Sequence, residues 1–110
     1  MTFPPSLKIG PHTYTVIYPH HFRERDDYQG QADHALKELR ISGVDCNGNQ
    51  RPDSALLETF FHEIVHCVDI IYCMDKIGKE EEKERLIEGL SNGLAQVLID
   101  NNLITLEGNY

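Results

Sequence analysis

No stretch of the sequence approaches the ~20 consecutive apolar residues that span a bilayer, which argues against a membrane protein. The start, Met-Thr-Phe-Pro-Pro-Ser-Leu-Lys, has neither the basic opening nor the apolar run of a signal peptide, so an intracellular, cytoplasmic chain is expected. The three cysteines, Cys46, Cys67 and Cys73, are odd in number and form no Cys-x-x-Cys pair. That pattern fits a reducing compartment rather than a disulfide-stapled secreted fold. Basic residues are few and scattered: ten Lys and Arg stand against eighteen Asp and Glu, a formal net charge of -8. A surface of that sign repels phosphate backbones, and nucleic acid is not expected as a partner. Internal repeats and interdomain linkers are absent as well.

The rest of the composition is ordinary for a folded protein. With 110 residues, 40% hydrophobic and 25% charged, the chain suits one domain (1–110) with a modest core. Residues 1–6 form a Pro-bearing lead-in. Leu7 to Tyr18 predicts strand from its β-branched and aromatic alternation, interrupted at Gly10-Pro11. Pro19 to Asp27 reads as a polar loop. Tyr28 to Ile41 predicts a hairpin, Gln29–Asp33 and Glu38–Ser42 around a turn at His34–Lys37, with a short helix over Asp33–Leu39 as the rival.

Asp45 to Pro52 is rich in turn formers. Beyond it, apolar residues at 57, 60, 61, 64, 65, 68, 71 and 72 form a wide helical stripe. They predict a helix over 54–76, capped by Asp53 or Ser54 and ended by Gly78. A second helix is predicted over Lys79–Asp100, with an acidic first turn and a core face of Ile87, Leu90, Leu94, Val97 and Leu98. Asn101-Asn102 stops it and leaves a tail over 103–110. The expected fold is α+β, a small antiparallel sheet packed on two long helices.

Inside the first helix stands His62-Glu63-Ile64-Val65-His66. Residues four apart lie one turn along the same helix face, so two imidazoles there can meet one zinc ion at ~2.0–2.1 Å. Glu63 is offset from them, and its carboxylate is expected to reach the zinc-bound water as general base. Two helix histidines in local hydrogen bonds are the plain alternative. A third protein ligand is needed, and Glu88 on the second helix is the choice, at the flank of the apolar face. Glu84, or the loop histidines His20, His21 and His34, are its rivals.

His-Glu-Ile-Val-His followed on the next helix by Glu88-Gly-Leu-Ser91-Asn92 resembles the gluzincin arrangement of thermolysin-like peptidases. The resemblance implies Glu88 as third ligand. It also implies that Asn92, four positions later where the family has an acidic residue, orients His62 by accepting its ring N–H. The short chain is similar, over about residues 38–102, to compact phage- and mobile-element-associated metallopeptidases of the ImmA/IrrE kind and to minigluzincins. From these it follows that Glu38–Val44 would be an edge strand bordering a cleft for an extended peptide, and that the origin is a phage or mobile element. Thermolysin-like enzymes also carry a downstream His or Tyr that stabilises the oxyanion. Here the downstream candidate is Tyr110, with Tyr72, Tyr28 and His34 as substitutes.

The expected function is therefore zinc-dependent hydrolysis of a peptide or protein substrate by Glu63, His62, His66 and Glu88. The alternatives are a zinc-stabilised protein-binding module without turnover and a metal-free helical interaction protein. A tail lying across the cleft, with Glu107 or the terminal carboxylate near the metal, is a further expectation. Asp69 and Asp75 are expected to be exposed or capping, and Cys67 and Cys73 to be buried small hydrophobes. Close helix–helix approach would explain Gly89 and Gly93.

Overall fold

A computed structural model describes residues 2–23, 28–73 and 80–101. In chain order these form β1 (Ser6–Ile9), β2 (His12–Ile17), β3 (Gly30–Asp33), β4 (Glu38–Ile41), α1 (Asp53–Tyr72) and α2 (Glu80–Asp100). Gly78, Asp75 and the 103–110 tail, with Glu107 and Tyr110, lie outside the described residues.

The β1–β2 turn falls at Gly10, whose φ of 60° suits glycine. A Cβ there would also stand 2.6 Å from the Ile71 side chain, so the turn presses against α1. The second hairpin forms as expected, and the rival helix does not. Asp33 Oδ1 accepts from the N–H groups of Ala35 and Leu36 at 3.1 and 2.9 Å, as a helix cap does, but Lys37 takes a positive φ of 58° and turns the chain into β4 after a single turn.

The sheet is mixed rather than antiparallel, in the order β1-β2-β4-β3, with β2 and β4 parallel. Composition accounts for this order. Leu39 and Ile41 of β4 are fully buried and need a central position, whereas the Gly-Gln-Ala-Asp of β3 tolerates an edge. The edge strand beside α1 is accordingly β3, and Glu38–Val44 is not at the edge.

One face of the sheet packs on α1, where Ile9, Tyr14, Leu39 and Ile41 meet Leu56, Leu57, Phe60 and Cys67. Phe3, in the supposed lead-in, joins this core with ring centroids 4.9 Å from Tyr18 and 4.8 Å from Phe60. Helix α1 starts at Pro52 without a side-chain cap, so neither Asp53 nor Ser54 takes that role. Just before it, Arg51 is only 5% exposed. Its guanidinium donates to the carbonyls of Gln29 (3.2 Å), Ser42 (2.8 Å) and Ala55 (3.1 Å) and to the Thr59 hydroxyl.

Among the described residues α2 packs on α1 and not on the sheet. Its buried residues are Ile87 and Ser91, while Leu90, Leu94 and Val97 are 50%, 45% and 47% exposed. The expected core face is thus turned partly outward. A Cβ at Gly89 or Gly93 would meet nothing within 4 Å, so close helix approach does not explain those glycines. Asp69 is buried, not exposed, and meets Lys83 of α2 at 3.4 Å. Cys67 is buried as expected; Cys73 is exposed. No described helix is long and apolar enough to cross a membrane.

Candidate metal centre

Helical spacing brings His62 and His66 onto the α1 face that meets α2, where their Nε2 atoms lie 3.2 Å apart. Glu84, in the second turn of α2, meets both rings: Oε1 is 2.9 Å from His66 Nε2 and Oε2 is 3.3 Å from His62 Nε2. Ligands ~2.0–2.1 Å from a tetrahedral zinc sit about 3.3–3.4 Å from one another. The three donors therefore have the chemistry and spacing of a metal-ligand set, and they form the cluster able to hold an ion among the described residues. Burial lowers the pKa of His66, against the nearby Glu84 carboxylate, which favours the neutral ring that ligates metals.

The carboxylate beside the histidines is Glu84 rather than Glu88. Glu88 lies one turn further along α2, exposed, in the wall of a cavity of about 300 Å³ that also includes Gly30, Thr59, His62, Glu63 and Glu84. Asn92 is a further turn away and exposed. The reason is the rotation of α2. Glu84, Ile87 and Ser91 recur at three and four residues and form the stripe that meets α1. Small Ser91 permits that approach. Glu88, about 40° further round the helix than Glu84, is turned away from that stripe.

Glu63 is 7% exposed and tucked under β3, where the Ala32 N–H donates to its carboxylate. Burial, and secondarily the negative Glu84, push its pKa up to about 7. Glu63 thus stands beside the donor cluster without joining it.

The close seat of β3 requires Gly30. A Cβ there would fall 2.6 Å from Thr59 Cγ2 and 3.1 Å from Glu63 Oε2. Gly30→Ala is expected to destabilise the fold by about 1–3 kcal/mol through overpacking, read as a lower urea midpoint at unchanged slope. A variant as stable as the parent would mean that β3 can lift from α1 at no cost.

The remaining sequence candidates divide clearly. His34 and Tyr28 line the cleft with His62, Glu63, His66 and Glu84. Tyr72 is 66% exposed on the last turn of α1. His21 lines a neighbouring cavity of about 270 Å³ with Phe22, and His20 meets Phe22 edge to face with centroids 4.6 Å apart. Compared with known proteins, the chain gives no significant match to any family model, curated protein or solved structure.

Proposed function

We propose that the chain is a zinc-dependent metallopeptidase-like protein in which His62, His66 and Glu84 hold the metal and Glu63 is the general base. The observation that carries this reading is the convergence of three donors at ligand spacing beside a buried carboxylate. Bound there, zinc would supply a Lewis acid that polarises a carbonyl and acidifies water. Glu63 takes a proton from the attacking water and returns it to the departing amine as the C–N bond breaks. Ala32, through its N–H, holds that carboxylate in place.

The edge strand β3 offers the peptide its seat. Ala32, whose N–H is taken by Glu63, leaves its carbonyl on the edge away from β4, and Gly30, two residues earlier, turns both its N–H and its carbonyl to that outer edge. An extended substrate can pair there and run past Glu63. The gluzincin resemblance is also tighter in this register. With Glu84 as ligand, the residue four positions later is the acidic Glu88 rather than the amide Asn92.

Zinc content by elemental analysis tests the assignment. The expected result is about one zinc per chain, loosened more than ~100-fold in Glu84→Gln and no more than ~10–100-fold in Glu88→Gln, the range for a group supporting a ligand. The reverse order would return the third position to Glu88. No zinc in the parent protein, even after adding it back, would sink the metal reading and leave a helical interaction protein.

A further inference from the structure

A second pair of side chains shares the cleft wall. His34, in the β3–β4 turn, meets the Tyr14 hydroxyl through Nδ1 at 3.1 Å. Tyr14 is fully buried in β2, where its hydroxyl also contacts the Cys67 thiol. The phenol carries one proton through neutral pH and has two neighbours to offer it to. Imidazole nitrogen is a good acceptor and thiol sulfur a weak one, so the proton goes to Nδ1. The thiol can then complete the chain by donating to the phenol oxygen.

This fixes the tautomer of His34. With Nδ1 accepting from a buried partner, the ring proton sits on Nε2, on the edge left to line the cavity with His62, Glu63, His66 and Glu84. Burial lowers the pKa of His34 and keeps the ring neutral. His34 has a buried group that sets both its ring and its proton, and Tyr28 in the same cleft is 37% exposed.

We propose that His34 donates its Nε2–H to the carbonyl oxygen of a bound peptide as negative charge develops there, with Tyr14 as the buried positioning residue. The inference rests on the metallopeptidase reading and supplies the electrophilic donor that the downstream sequence leaves unassigned. No proton leaves His34; the hydrogen bond shortens as the oxygen gains charge, and Glu63 carries the transferred proton. A fixed donor of this kind contributes about 10²–10³-fold to turnover in other hydrolases.

Two measurements decide it. Long-range ¹H–¹⁵N correlation spectra of histidine-labelled protein report the tautomer without metal or substrate. His34 should be protonated on Nε2 in the parent protein and become a mixture in Tyr14→Phe. An Nδ1-protonated His34 in the parent protein overturns the proposal. In cleavage of a fluorogenic peptide library by zinc-loaded protein, His34→Ala should lose about 10²–10³-fold in kcat, with KM and zinc content held. Tyr14→Phe, which keeps the core volume, should show a smaller loss in kcat alone, and Tyr28→Phe little. Cleavage by the parent protein with unchanged kcat in His34→Ala sinks this role and leaves the peptidase reading standing. No cleavage by the parent protein sinks both.

Discussion

Glu63→Gln is expected to cut peptide-bond hydrolysis by at least about 10²–10⁴-fold, the usual contribution of a positioned base, while zinc stays bound. The substitution is nearly isosteric, which matters because the side chain is only 7% exposed and wedged under β3. The amide oxygen can still accept from the Ala32 N–H, so the packing of β3 on α1 is kept. What is lost is the ability to take a proton. The three donors that converge on the proposed metal position lie elsewhere, on His62, His66 and Glu84, and the change leaves them in place. Cleavage of a peptide library, measured beside zinc content, reads both effects at once. Turnover equal to the parent would remove Glu63 from the chemistry. One zinc per chain with no turnover in the parent itself would instead favour the zinc-stabilised binding module.

The largest effect on stability is expected at Arg51. Its guanidinium joins the entrance of β3 (Gln29), the exit of β4 (Ser42) and the first turns of α1 (Ala55 and Thr59). Truncation to Ala leaves several buried acceptors without their donor, each costing about 1–3 kcal/mol. It also opens a cavity at the junction of sheet and helix. A net loss of about 3–5 kcal/mol is a large share of the ~5–15 kcal/mol that holds a typical domain. At about 4–8 °C per kcal/mol for a chain of this size, Tm should fall by at least about 12 °C. Arg51→Lys should not restore it, because one ammonium cannot serve acceptors arranged around a planar fork. A melt within about 2 °C of the parent, a shift well under 1 kcal/mol, would show that water replaces the guanidinium at no cost.

The elements most legible in the sequence are those with a period or a turn former. The wide stripe from 57 to 72 produces α1, Gly10 breaks β1 from β2, and Asp33 sets the second hairpin. The His62–Glu63–His66 geometry follows from helical spacing alone. Less legible is whatever depends on how elements meet. Nothing local in Glu38–Ile41 tells whether its free side pairs with β2 in parallel; that follows only once Leu39 and Ile41 compete for the centre. Arg51 reads as a loop charge because its partners are backbone carbonyls, and carbonyls leave no trace in a sequence. The choice between Glu84 and Glu88 turns on the rotation of α2, and small Ser91 marks the contact face more faithfully than the leucines do.

Among the described residues α2 is attached to α1 alone, which bears on how the molecule comes apart. The sheet and α1 share one core, so hydrogen exchange along them should track global unfolding. Among the described residues α2 is held by Ile87, Ser91, the Lys83–Asp69 pair and Glu84 on the two histidines, a smaller set of contacts that can open as its own cooperative unit. Of the three proposed metal donors, two sit on the first unit and Glu84 on the second. An ion at this position would act as a crosslink between the two units, raising the cost of opening α2 by its own binding free energy and making the two openings one.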